Sequence, residues 1–208
     1  MVAIVDYGVG NLFSLKSSLA AIGAEVTVTA DPEVLRSAQQ VILPGVGAFG
    51  DAARKLRDTG LDRVLKELAA EGMPLLGICL GMQLLFDRSY EYGEHEGLGL
   101  IPGVVKPIAD VIPKGLKIPH IGWNGLHIRQ ENPLLQYVAE GDCVYFVHSF
   151  YAAQCTDSVI ATAEYGAELT ASVARGNVYG CQFHPEKSGS VGLNILKAFV
   201  QMGRMEVC

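Results

Sequence analysis

Pro74-Leu75-Leu76-Gly77-Ile78-Cys79-Leu80-Gly81-Met82-Gln83 decides how the rest of the chain is read. It is a short apolar run of buried-strand length that ends at a cysteine, with a glycine two residues away on either side. Met82, Leu85 and Phe86 follow at the spacing of a helix face turned to a core. A strand that passes directly into a helix does so through a tight, strained turn, and flanking glycines remove the Cβ atoms that would collide there. This is the pattern of a nucleophile elbow, with sulfur in place of the serine oxygen. The helix N-terminus that follows offers unpaired N–H groups and a partial positive charge, both of which favour thiolate over thiol. A cysteine in an apolar run can also be an inert core residue, but a core residue does not need the paired glycines.

Composition places this elbow in an α/β protein. Half of the 208 residues are hydrophobic, 18% are charged and 24 are glycine, which suits buried parallel strands within one large domain, residues 1–208. A net charge of −6 without any Lys/Arg cluster argues against nucleic acid as the main ligand. The five cysteines (Cys79, Cys143, Cys155, Cys181, Cys208) form neither a disulfide framework nor a CxxC pair, so a reducing compartment and no zinc are expected. Met1 to Val5 runs straight into Asp6 without a charged leader, and no apolar run reaches membrane-spanning length. A cytoplasmic protein with no membrane association is expected.

Before the elbow, Val2-Ala3-Ile4-Val5 reads as a buried strand. It leads through a glycine-bearing loop, Asp6 to Asn11, to a helix with Leu12, Leu15, Leu19 and Ile22 on one face, stopped by Gly23. Gly8-x-Gly10 offers two glycines of a dinucleotide fingerprint, but Phe13 stands where the third is needed, so that reading is set aside. Glu25 to Thr29 alternates as a strand, Asp31-Pro32 caps a short helix and Gln40 to Leu43 is the next strand. That strand runs into Pro44-Gly45-Val46-Gly47-Ala48-Phe49-Gly50, on the carboxyl edge of the sheet where open α/β folds place their sites. Its uncrowded main-chain N–H groups suit an oxyanion hole, whereas a P-loop would need a Lys-Ser/Thr that is absent. Asp51 to Glu71 reads as one long amphipathic helix, with Leu56, Leu61, Val64, Leu65 and Leu68 as its apolar stripe.

Beyond the elbow, a helix is expected to about Arg88, then an acidic loop from Ser89 to Gly99 in which His95 is solvated. Short strands broken by Pro107, Pro113 and Pro119 carry Ile118 to Asn124, and Trp123 there is either core or an interface anchor. One strand is expected from Cys143 to Phe150, with His148 an ordinary strand residue, followed by strands 158–165, 169–175 and 178–183. These close returns argue for an antiparallel section, with Gly176-Asn177 as a hairpin turn and a helix from about Val191 to Met202 at the end. Gln182-Phe183-His184-Pro185-Glu186 is the second chemical cluster. Proline fixes the backbone, and a carboxylate two residues beyond the histidine can hold the imidazole in one tautomer. Cys79, His184 and Glu186 then fit a thiol nucleophile, a general base and an orienting acid, a better match than a metal site lacking a fourth ligand.

Gly77 to Gln83 together with Gln182 to Glu186 resembles the class I (triad) glutamine amidotransferases over essentially the whole chain. Within that superfamily, Asp6 to Leu12, Pro44 to Phe49, Pro119 to Asn124 and Tyr145 to Phe150 resemble the glutaminase subunits of imidazole glycerol phosphate synthases. The resemblance implies a three-layer α/β fold: a mainly parallel central sheet, helices on both faces and an added antiparallel section. It implies that Cys79 attacks the glutamine carboxamide, that His184 transfers protons and that Glu186 orients His184. The Leu80 N–H, and the Val46 N–H if the Gly45–Val46 peptide turns inward, would meet the oxyanion. Gln83 and the backbone around Gly47, His148, Ser149 and Phe150 would grip the amino-acid end. Phe150 departs from an expected tyrosine, which affects only a hydroxyl interaction. No cofactor is implied. The implied partner is a (β/α)8 cyclase subunit in histidine biosynthesis, with Asn11, Trp123 and Tyr145 on the docking face. A glutaminase subunit of another amidotransferase, a stand-alone cysteine amidohydrolase and a catalytically idle binding subunit are the alternatives.

Overall fold

A computed structural model describes residues 1–203, so Cys208 lies outside the described residues. Strand β1 (Val2–Val5) leads through α1 (Leu12–Ala21) to β2 (Val26–Thr29), and α2 (Pro32–Ser37) leads to β3 (Gln40–Leu43). Helices α3 (Phe49–Thr59) and α4 (Leu61–Ala70) precede β4 (Leu75–Ile78), which turns into the single-turn α5 (Leu80–Gln83). Strands β5 (Phe86–Ser89), β6 (His95–Glu96), β7 (Ile101–Pro107), β8 (His120–Gly125) and β9 (His127–Ile128) follow. The chain continues through β10 (Cys143–His148), β11 (Phe150–Ala153), β12 (Val159–Glu164), β13 (Glu168–Arg175), β14 (Val178–Cys181) and α6 (Gly189–Val200).

The main sheet has the order β2-β1-β3-β4-β14-β13-β12-β9. From β2 to β14 every neighbour is parallel, and from β14 to β9 every neighbour is antiparallel. Alternation along the strands divides the apolar side chains between two cores. Val2, Ile4, Ile42 and Leu76 pack with Leu15 and Leu19 of α1 and Ile195 and Phe199 of α6. Ala3, Val5, Val41, Leu43 and Leu75 pack on the other face with Leu35, Leu56, Leu65 and Leu68 of α2 to α4. A strand buried on both faces has no polar positions, which is why these runs are apolar throughout. The three-layer expectation therefore holds. The Asp31 cap accepts from the Glu33 N–H at 2.9 Å, and Gly176-Asn177 joins β13 to β14 with Arg175 opposite Val178.

Several elements differ from the sequence reading. The expected 51–71 helix breaks at Gly60, which adopts φ +72 and caps α3 by donating to the Arg57 carbonyl. Leu56 and Leu61 are five residues apart, out of phase for one continuous stripe, and the break brings both into the same core. The helix after the elbow stops after one turn. Phe86 to Ser89 pairs instead with β7 and β6, with Phe86 and Ser89 buried at its ends and Asp87 and Arg88 exposed between them. The acidic stretch 89–99 thus contains β6, and His95 is half-buried with its ring against Phe49, not solvated. The expected strand 143–150 divides at Ser149: β10 pairs with β8, whereas β11 pairs with β7 in a different sheet.

Candidate active site

Cys79 stands where β4 ends and α5 begins, with φ 54 and ψ −113, a conformation that L side chains rarely adopt. Its N–H donates to the Cys181 carbonyl of neighbouring β14 at 2.7 Å, which holds the strained residue in place. The flanking glycines are required by close approach. A Cβ on Gly77 would lie 2.6 Å from the Gly81 oxygen, and one on Gly81 would lie 1.9 Å from the Leu43 oxygen. The elbow is therefore wedged against β3 and against itself with no room for a methyl group.

His184 follows β14, whose register sets Cys181 beside Ile78 at the carboxyl ends of two parallel strands. Its backbone N–H donates to the Tyr145 carbonyl at 3.0 Å, and Ser188 Oγ donates to the His184 carbonyl at 2.7 Å. Glu186 sits in the single 3₁₀ turn Pro185–Lys187, and its Oε1 lies 2.8 Å from His184 Nδ1, both side chains being 3% exposed. That contact leaves Nε2 for Cys79. Burial disfavours the imidazolium, but hydrogen bonds to Cys79 and Glu186, together with their negative charges, raise the His184 pKa to about 9. Glu186 Oε2 is buried without a hydrogen-bond partner. The arrangement of the three side chains suits a nucleophile, a proton carrier and an orienting acid.

A cavity of about 390 Å³ opens over Cys79 and His184. Val46, Gly47, Leu80 and Gln83 line one side, and His148, Ser149 and Phe150 line another. Leu80, the first residue of α5, has no intrahelical acceptor for its N–H. Gly45 is pressed onto the elbow: a Cβ there would lie 2.7 Å from the Gly81 nitrogen and 2.9 Å from the Tyr7 hydroxyl. Tyr7 in turn donates to the Pro44 carbonyl at 2.8 Å. Burial, and then the nearby Cys79, hold the Tyr7 phenol well above its usual range, so it stays a donor.

The His148 ring turns away from a direct gripping role. Nδ1 donates to the Phe150 carbonyl at 2.8 Å and Nε2 meets His120 Nδ1 at 2.9 Å, while burial drives the His148 pKa down to about 4. With both nitrogens engaged, neutral His148 ties the end of β10 to the start of β11, beside Ser149 and Phe150 in the cavity wall. On Gln83, the amide nitrogen donates to the Phe150 carbonyl at 3.2 Å and to Gln182 Oε1 at 3.0 Å. Both of its N–H bonds are spent, so towards a ligand Gln83 can only accept.

Pro119 and Val147, from two of the stretches that carry the resemblance, also line the cavity, as do Glu91, Tyr92 and Lys187, which carried no signal in the sequence. Glu91 lay in a stretch read as a solvated acidic loop, yet its carboxylate accepts the Phe49 N–H at the start of α3. Of the two readings of Trp123, core is overturned: the indole is 55% exposed and lies edge-to-face with Tyr145, centroids 6.0 Å apart. Trp123 and Tyr145 are paired across β8 and β10, Ile121 projects two residues away at 57% exposure, and Lys187 Nζ lies over the Tyr145 ring. Asn11 is half-buried at the N-terminus of α1. Among the described residues, no group of three His, Cys, Asp or Glu side chains is placed to hold a metal ion, and no helix is long and apolar enough to cross a membrane.

Residues 3–202 match the family model of the class-I glutamine amidotransferases. A protein of Geobacillus sp. (strain WCH70), named imidazole glycerol phosphate synthase subunit HisH, is 51% identical over 205 residues, covering 97% of each chain. One of the same name from Caldanaerobacter subterraneus subsp. tengcongensis is 48% identical over 203 residues, covering 97% of this chain and 98% of its own. Among solved structures, a crystal structure of a glutamine amidotransferase superposes with a TM-score of 0.74 at 21% identity, covering 96% of this chain and 100% of the other. PurLQS from Thermotoga maritima superposes with a TM-score of 0.75 at 22% identity, with 96% of each chain covered. These two likenesses speak for the fold.

Proposed function

The chain belongs to the class-I glutamine amidotransferases, and on that premise we propose that it is the glutaminase subunit of an imidazole glycerol phosphate synthase, acting through Cys79, His184 and Glu186. The observation that carries this is the strained Cys79 elbow facing a His184–Glu186 pair at the floor of a cavity of small-molecule size.

Glutamine enters with its carboxamide over Cys79. His184 takes the thiol proton, the sulfur attacks the carbonyl carbon and the oxyanion meets the Leu80 N–H, joined by the Val46 N–H when the Gly45–Val46 peptide turns inward. Loss of one such donor costs about 3 kcal/mol in the barrier. His184 then protonates the nitrogen of the tetrahedral intermediate, the C–N bond breaks to release ammonia, and the glutamyl thioester left behind is hydrolysed to glutamate by water activated by the same imidazole. Gln83 Oε1 and the Glu91 carboxylate suit the substrate ammonium, one as an acceptor and the other as a negative charge, and backbone N–H groups around Gly47 and Ser149 suit the carboxylate.

The ammonia passes to a (β/α)8 cyclase subunit that forms imidazole glycerol phosphate and aminoimidazole carboxamide ribotide. Trp123, Tyr145 and Asn11 belong to the docking face, for which exposed Ile121 and Trp123 supply apolar anchors. Residues 1–208 act as one amidotransferase domain in the cytoplasm.

The test is glutamate release by the purified chain, alone and with a cyclase subunit and its nucleotide ligand, beside Cys79→Ala. Weak release that rises with the liganded partner and vanishes in the variant is expected, while the variant keeps ammonia-dependent synthesis. Strong release that the partner leaves unchanged would favour an independent amidohydrolase, and no Cys79-dependent release under any condition would overturn the triad reading.

A further inference from the structure

Gln182 is fully buried beside the nucleophile, and the hydrolysis proposed above assigns it no task. Its position follows from the sheet. Strands β4 and β14 run parallel with Ile78 opposite Cys181, so the next residue on each, Cys79 and Gln182, emerge side by side. The Gln182 backbone N–H donates to the Ala171 carbonyl at 2.8 Å, which ties the residue to β13 as well.

The direction of its side-chain amide is set by a chain of hydrogen bonds with only one polarity. The Phe150 carbonyl can only accept, so the group 3.2 Å from it on Gln83 is the amide nitrogen. The second N–H of that nitrogen is directed at Gln182, which must present its oxygen, Oε1, at 3.0 Å. The amide nitrogen of Gln182 is thereby turned to Cys79 Sγ, 3.9 Å away. A main-chain carbonyl on the cavity wall thus dictates that the sulfur faces a donor and not an acceptor. Hydrogen bonds to an ionised acceptor are about twice as strong as neutral ones, so this contact gains most when Cys79 is a thiolate.

We infer that Gln182 is a positioning residue for the nucleophile: its side-chain N–H donates to the Cys79 sulfur, favours the thiolate and couples it through Gln83 to the cavity wall at Phe150. His184 supplies the proton acceptor on one side of the sulfur, and Gln182 supplies the donor on the other. The inference rests on Cys79 being the glutaminase nucleophile, but its direct readout does not.

The experiment compares the full chain with Gln182→Glu, which still accepts from Gln83 but presents an anion to the sulfur, and Gln182→Met, which keeps length and burial without any donor. Alkylation of Cys79 by iodoacetamide, resolved from exposed Cys143 by peptide mass spectrometry, is followed against pH, alongside glutamate release with the cyclase subunit present. The midpoint for Cys79 alkylation is expected to rise by about one unit in Gln182→Met, a tenfold loss of thiolate at a given pH, and further in Gln182→Glu. kcat should fall in step while KM for glutamine changes little. Circular dichroism identifies a variant that fails to fold, and either folded variant decides the outcome. An unmoved midpoint in a folded variant overturns the inference, even if activity falls. A shifted midpoint in a chain whose parent releases no glutamate would uphold the role of Gln182 and overturn the glutaminase reading instead.

Discussion

Replacing Glu186 by glutamine isolates what the carboxylate does for His184. Burial acts against the charged imidazole, yet contacts with Cys79 and Glu186 bring its pKa to about 9, against an ordinary 6.5. The Glu186 contribution is a 2.8 Å charge-assisted bond between side chains that water barely reaches. Such a bond contributes about 1.5–3 kcal/mol. At about 1.4 kcal/mol per pH unit, its loss lowers His184 by about 1–2 units, to roughly 7–8. Glu186→Gln keeps the shape and leaves an amide oxygen to accept from Nδ1, so the charge is what changes. If His184 is the proposed proton carrier, the alkaline limb of glutamate release, where the imidazolium that protonates the leaving nitrogen is lost, should move down by the same amount.

Stability supplies an independent reading of the same bond. Because the folded pKa of His184 lies above the unfolded one, its charge stabilises the fold fully below about pH 6.5, and that contribution is lost as pH rises through about 9. Glu186→Gln should therefore unfold about 1.5–3 kcal/mol more readily near pH 6. The deficit should close near pH 10, where neutral His184 no longer needs the anion and the unpartnered Glu186 Oε2 is only a desolvation cost. The assays are NMR titration of the His184 ring and urea unfolding at the two pH values. A His184 titration that stays near its parent value in the folded variant would refute the reasoning, because it would leave Cys79 alone as the source of the raised pKa.

Two further outcomes are expected. Gly60→Ala should cost about 1–2 kcal/mol in chemical denaturation, the left-handed backbone penalty alone, since an added Cβ would meet nothing nearer than Arg63 Nη2 at 3.7 Å; an unchanged midpoint would mean that the α3–α4 break is not held by Gly60. Trp123→Ala should leave unfolding and basal glutamate release unchanged but weaken the cyclase complex about 30-fold or more, a hot-spot loss of at least about 2 kcal/mol read by titration calorimetry. Equal affinity of the variant and its parent would remove Trp123 from the docking face.

Local pattern was enough for much of this protein. Val2 to Val5, Val41 to Leu43 and Leu75 to Ile78 announce strands buried on both faces because each lacks a polar residue, and the last two lead into the Val46–Gly47 and Cys79–Leu80 walls of the cavity. Asp31-Pro32 and Gly176-Asn177 declare a helix start and a hairpin through their own backbone preferences. The elbow was legible for the same reason: Gly77, Cys79 and Gly81 state a backbone geometry within five residues. Only tertiary structure could decide what depends on residues far apart. Phe86 to Ser89 becomes a strand because β7 offers a partner, and Ser149 divides a continuous β-prone run because its halves find different sheets. Trp123 stays exposed, its indole meeting Tyr145 across the β8–β10 ribbon, and Gln182 meets Cys79 across 103 positions of sequence because parallel strands set them side by side. Helix, turn and elbow are written in bond rotations that each residue carries with it, whereas strand pairing, burial and the orientation of an amide are set by neighbours that only the folded chain supplies.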